Sequence, residues 1–160
     1  MRIGVMSDSH DDMVKISQAV ELFNRENVDL VLHAGDFVSA ATAKEFKKLE
    51  AKLVGVLGNA EEDRLTMCRS FAGIGQIYRG FHGMEIGGRR VALMHQLSSL
   101  PVSSGKGYDA IIYGHTHHLH IDLGPPLVVN PGESCGRLSG RSMVVIIDLE
   151  TLVAEPFELG

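Results

Sequence analysis

The chain has no tryptophan, only two cysteines and no long apolar run, and its charge leans acidic, with 15 Lys and Arg against 20 Asp and Glu. Each shortage excludes something. Cys68 and Cys135 show no CxxC spacing and cannot build a disulfide framework, so they read as small, partly buried thiols. No apolar stretch approaches the roughly 20 residues of a membrane helix. The chain opens Met1-Arg2-Ile3 directly in a strand pattern, without the charged-then-apolar order of a signal peptide, which points to a cytoplasmic protein with no membrane partner. The net charge of −5 gives no general attraction for nucleic acid, so non-specific nucleic-acid binding is not expected. There is no Gly-x-Gly-x-x-Gly or Walker-type phosphate loop, which leaves nucleotide-driven chemistry unsupported.

What is present suits one globular domain over residues 1–160, since 44% apolar composition in a chain of that length can bury a core without staples. Short runs rich in β-branched residues punctuate the chain. Ile3 to Met6, Leu30 to Leu32, Leu53 to Leu57, Arg90 to Met94 and Ala110 to Tyr113 all read as buried strands. Between them, Val14, Ile16, Ala19, Val20, Leu22 and Phe23 give helical periodicity behind an Asp11-Asp12 cap. A second helix is expected from about Ala41 to Leu49, a short third one from Glu61 to Phe71, and a weaker one over Ser98 to Ser104. Met84 to Ile86 and Arg89 to Met94 flank a Gly-Gly corner, the pattern of a hairpin. From Ala110 onward the chain is strand-rich, with further runs at His118 to Ile121, Leu127 to Asn130, Met143 to Asp148 and Val153 to Phe157. An α/β first half and a β-rich second half would suit two sheets packed face to face with helices outside.

Directly after five of these strands stand Asp8 and His10, Asp36, Asn59, His95, and His115 and His117. Ligands in open α/β sheets gather outside the carboxyl ends of the strands, so these side chains can meet on one edge. Asp8 and His10, like His115 and His117, are two apart, and in extended backbone each pair projects to one side. Two carboxylates, four imidazoles and a carboxamide suit Mn, Fe, Ni or Zn. The charge favours two ions: two divalent cations carry about +4 and Asp8 with Asp36 return about −2, leaving roughly +2 for a hydroxide and a phosphate anion. One ion would be neutralised and would leave ligands over, because a catalytic zinc keeps about three protein ligands and an open position.

In order and approximate spacing, Asp8-Ser9-His10, Gly35-Asp36, Gly58-Asn59-Ala60-Glu61, His95 and Gly114-His115-Thr116-His117 resemble the signature of the calcineurin-like metallophosphoesterases. The small size and Asn130-Pro131-Gly132-Glu133-Ser134 resemble the compact prokaryotic and archaeal phosphodiesterase branch, which includes the retromer subunit Vps29. The resemblance implies an α/β fold, a four-layer α-β-β-α sandwich with two mixed sheets. It implies that Asp8, His10, Asp36 and His117 bind one ion, and that Asp36 bridges to a second held also by Asn59, His95 and His115. Asp36, Asn59 and His115 are then the residues expected to carry catalysis, with a bridging hydroxide attacking a small phosphodiester in line. Mn or Ni would be the favoured ions, ahead of Fe or Zn. The rival reading is a catalytically weak, Vps29-like protein-binding scaffold, and a homo-oligomer is compatible with either.

Two positions depart from the family. Many of its phosphatases carry His directly after the motif Asn, where it can protonate the leaving oxygen; here that residue is Ala60. Gln96 stands where Gly commonly follows the ligand His, and it can narrow the pocket or donate to substrate. Elsewhere, Asp11-Asp12 and Glu61-Glu62-Asp63 read mainly as helix caps, with Glu61 as the one able to orient a site residue. Gly132-Glu133-Ser134-Cys135-Gly136 matches a serine-hydrolase elbow in form only, because no helix pattern and no later His follow it. His33, His82, His118 and His120 lack support as ligands, and Arg137 reads as a solvated or phosphate-binding cation.

Overall fold

The computed structural model describes residues 1–101 and 107–160. Its strands are β1 (Arg2–Met6), β2 (Leu30–His33), β3 (Lys52–Val56), β4 (Gly75–Tyr78), β5 (His82–Ile86), β6 (Arg89–Leu93), β7 (Ala110–Ile112), β8 (Leu119–Asp122), β9 (Leu127–Pro131), β10 (Met143–Asp148) and β11 (Val153–Glu158). They form one sheet in the order β11-β10-β1-β2-β3-β4 and another in the order β5-β6-β7-β9-β8. Both sheets are mixed. Strands β1 to β4 run parallel, with β10 antiparallel to β1, while β6, β7 and β9 run parallel, with β5 and β8 antiparallel at the edges.

Alternation along the strands builds two of the cores. Ile3, Val5, Leu30 and Leu32 face inward and meet Val91, Leu93, Ala110, Ile112, Leu127 and Val129 of the opposite sheet. Met6, Val31 and Leu53 point the other way, into a core shared with the helices. There α1 (Met13–Arg25) buries Ile16, Ala19, Val20, Leu22 and Phe23 at helical spacing and leaves Val14 exposed. On the far side of the second sheet, Ala92, Met94, Ile111 and Tyr113 are covered by Phe81, Leu100 and Tyr108. No helix lies on that face among the described residues except a single 3-10 turn, Leu97–Ser99.

The elements differ from the sequence reading in instructive ways. The second helix is one α turn, α2 (Ala43–Phe46), behind a 3-10 turn, Ala40–Thr42; beyond it Lys48 and Leu49 donate to carbonyls three residues back, so the chain keeps turning without the α pattern. The third helix, α3 (Arg64–Ser70), begins later than expected because Asp63 is its cap, accepting from the Thr66 amide at 2.9 Å. Of the helix expected over Ser98 to Ser104, the described part is the 3-10 turn, and residues 102–106 lie outside the described residues. Strand β4 was not among the expected strands; it opens on Gly75 and pairs in parallel at the sheet edge with β3. The hairpin corner is as expected: Gly87 and Gly88 have φ of 56° and 73°, the left-handed pair that a type I′ turn requires.

Candidate metal centre

The carboxyl ends of β1, β2 and β3 in one sheet and of β6 and β7 in the other meet along a single edge. Backbone bonds continue the sheets past their ends: Asp8 donates to Gly35, His10 to Asp36, and Gly114 to His95, at 2.9 to 3.0 Å. All seven candidate residues stand in these loops. The pairs do not project from extended backbone, as the two-residue spacing suggested. Asp8, His10, Asp36, His115 and His117 have φ of 51°, 42°, 60°, 70° and 63°, so each pair is delivered by a tight left-handed turn. Asp, Asn and His tolerate that region better than most residues, yet each instance still costs roughly 1–3 kcal/mol. Five such residues around one point mark a site held in place by its surroundings.

Asp8, His10, Asp36 and His117 form the tight group, with one ligand atom from each lying within 4.8 Å of the others. His10 Nε2 is 3.6 Å from Asp36 Oδ2, and His117 Nε2 is 3.6 Å from Asp8 Oδ1. Asn59, His95 and His115 adjoin on the other side of Asp36. His95 Nε2 lies 3.4 Å from Asp36 Oδ1 and 2.9 Å from Asn59 Oδ1, and the His95 and His115 rings are 5.0 Å apart. The two oxygens of Asp36 therefore face histidines of different halves.

The partners of these groups leave metal-binding lone pairs free. Asp8 is fully buried; its Oδ2 accepts from the Ser7 hydroxyl and the His115 amide, while Oδ1 has no hydrogen-bond partner. Burial pushes its carboxyl above the ordinary 3.8, with the Ser7 hydrogen bond and nearby histidines pulling the other way. His10 Nε2 is likewise buried without a hydrogen-bond partner. Unpaired buried groups of this kind are costly, and a cation offsets both. His95 Nδ1 donates to the Ala34 carbonyl at 2.8 Å, so in the neutral ring Nε2 and Asn59 Oδ1 turn lone pairs toward one another. A shared cation reconciles that pair too. The residues fit divalent metal.

One supporting residue, Glu133, was not singled out by the sequence. Glu133 is fully buried and accepts from His117 Nδ1 at 2.8 Å, which turns Nε2 toward the centre. Burial would raise its carboxyl, but the hydrogen bonds from His117, Ser139 and Cys135 outweigh it and hold the pKa at about 2. Its signal was its place inside the Asn-Pro-Gly-Glu-Ser block. Glu61, flagged as the exception among the acids, is tied to the Phe37 amide at 2.7 Å and the Gly58 amide at 2.8 Å, joining the β2 and β3 loops. Asp36 Oδ1 accepts from the Asn59 and Ala60 amides at 2.8 and 2.9 Å. A Cβ on Gly58 would collide with that same oxygen, so only glycine fits there.

The remaining candidates separate cleanly. Asp12 caps α1 through the Lys15 amide, whereas Asp11 accepts from Ser39. His33 is buried against Phe37, its rings 3.6 Å apart, and bonds to Ser9; burial drives its pKa well below 6.5, so it is neutral. His82 stacks on Tyr78, and His118 and His120 are exposed. After β9 the Gly132-to-Gly136 segment enters no helix and Ser134 is buried, so it is no nucleophile elbow. Arg137 is exposed, and Gln96 lines a cavity beside the centre.

Against known proteins, residues 1–152 match the model of the calcineurin-like phosphoesterase superfamily domain. The chain belongs to that superfamily. This phosphoesterase is 38% identical to a phosphodiesterase of Methanocaldococcus jannaschii, over 94% of each chain. It is 35% identical to a probable metallophosphoesterase of Methanothermobacter thermautotrophicus, over 100% of this chain and 94% of the relative. The solved structure of an archaeal phosphodiesterase superposes with a TM-score of 0.92 at 37% identity, covering 99% of this chain and 100% of the other. Vps29 of Entamoeba histolytica shares the fold, with a TM-score of 0.67 at 17% identity over 100% of both chains. No helix among the described residues is long and apolar enough to cross a membrane.

Proposed function

We propose that this phosphoesterase hydrolyses small phosphodiesters at a two-metal centre, with Asp8, His10, Asp36 and His117 on one ion and Asp36, Asn59, His95 and His115 on the other. The observation that carries the reading is the convergence of Asp8, His10, Asp36 and His117, with Asp8 Oδ1 and His10 Nε2 buried without a hydrogen-bond partner. When bound, such ions supply Lewis-acid stabilisation of phosphoryl charge and acidify a water enough to attack at neutral pH. The chain's own part is positional. Asp36, fixed by the Asn59 and Ala60 amides, joins the two halves; Glu133 sets the His117 tautomer, and Ala34 that of His95.

Ala60 offers no proton to a leaving oxygen. Such assistance is typically worth about 10²–10⁴-fold, so poor leaving groups should suffer most. The reading therefore favours diesters and activated esters over alkyl monoesters. It includes Mn or Ni as the working ions, a cytoplasmic setting and residues 1–160 acting as one domain.

The test is hydrolysis of bis(p-nitrophenyl) phosphate and glycerol phosphate by metal-stripped protein after Mn or Ni is restored. The expected result is metal-dependent turnover of the diester with glycerol phosphate at least about 100-fold slower. Comparable rates on both would remove the argument from Ala60. Metal binding without any turnover would return the chain to the scaffold reading.

A further inference from the structure

We propose that the cavity beside the metal centre is an anion subsite, where Arg64 and Arg79 hold a second phosphate carried on one arm of the diester. The inference rests on the phosphodiesterase reading and adds a substrate class to it. Asn59 and His95 form part of the cavity wall, with Gln96, Ser99, Arg64 and Arg79 around them. A group lodged there is contiguous with a phosphoryl group at the centre.

Three observations point to an anion. Neither Arg64 nor Arg79 makes a hydrogen bond or ion pair among the described residues. Elsewhere Arg2, Arg89 and Arg141 are paired with Glu26, Asp109 and Glu158. The cavity lining also contains no acidic residue, in a chain whose net charge is −5. Both side chains are exposed at the cavity wall, and an anion lodged there meets two cations that no carboxylate of the lining neutralises. Guanidinium forks match phosphate oxygens in bidentate geometry, and the Gln96 amide and Ser99 hydroxyl add uncharged donors. The cavity has a volume of about 220 Å³. That is room for a phosphate and its linking atoms. A singly charged diester would leave this positive field unused; a diester with a terminal phosphate on one arm fills both sites.

The experiment measures affinities of Mn-loaded protein for thymidine 3′,5′-bisphosphate and thymidine 5′-phosphate by calorimetry, so the readout does not depend on turnover. The wild type should bind the bisphosphate at least about tenfold more tightly, the scale of hydrogen bonds to a charged group. In the Arg64→Ala/Arg79→Ala double variant the ratio should fall toward one, with each single variant part-way. Arg25→Ala, which removes the same charge from another exposed position outside the cavity, should keep the wild-type ratio. Equal affinities in the wild type, or a preference that survives the double variant, would overturn the subsite. Hydrolysis is read separately with thymidine 5′-(p-nitrophenyl phosphate) and its 3′-phosphorylated form. A binding preference with neither ester hydrolysed would leave the subsite standing and overturn the phosphodiesterase reading.

Discussion

At the residue scale, Asp36 has more to do than any other side chain. Its Oδ2 faces His10, its Oδ1 faces His95, and two backbone amides hold it. Asp36→Asn keeps the shape and removes the charge shared by both halves. That variant should lose turnover by at least about 100-fold and bind at least one ion more weakly, checked by diester hydrolysis and metal analysis together. Glu133 acts one step back. Glu133→Gln cannot hold the His117 proton as a carboxylate does, so metal affinity or activity should fall about 10- to 100-fold. Its pKa is depressed from 4.5 to about 2 in the fold, so its ionised form stabilises the protein above pH 4.5 and that contribution is lost as pH falls toward 2. The stability gap between wild type and Glu133→Gln, measured by urea unfolding, should therefore be largest near neutral pH and close across that window.

At the element scale, short pieces are stable here only through packing. Helix α2 is a single turn, below the length that holds itself together. Phe46, fully buried, anchors it against Phe37 and Phe71, with ring centroids 6.0 and 5.5 Å away. Phe46→Ala should cost about 3–5 kcal/mol in denaturant unfolding and loosen the β2 loop that carries Asp36. The same contrast explains what could be read from the chain. Strands such as β1 and β2, and the Gly87-Gly88 hairpin, were legible because local pattern and final environment agree. Strand β4 was not, since it is a half-buried edge whose identity comes from pairing with β3. That the seven residues would converge was legible from their positions after the strands, but the left-handed turns at Asp8, His10, His115 and His117 were not, because hydrogen bonds between loops distant in sequence accompany them. Glu133 stayed hidden for a related reason: its partner is 16 residues away in sequence.

At the scale of the whole molecule, two mixed sheets bring five strand ends to one edge, and two arginines without an ion pair among the described residues, Arg64 and Arg79, line the cavity beside that edge. Metal should therefore stabilise the fold as well as activate it. Ions that bind only the native state add about 2.7 kcal/mol at a concentration 100 times their dissociation constant. The most direct test is to strip the protein of metal and return Mn stepwise while following bis(p-nitrophenyl) phosphate hydrolysis against ions bound per chain. Activity should be absent without metal and reach its plateau at two ions per chain. A plateau at one ion, or undiminished hydrolysis by the stripped protein, would contradict the two-metal account.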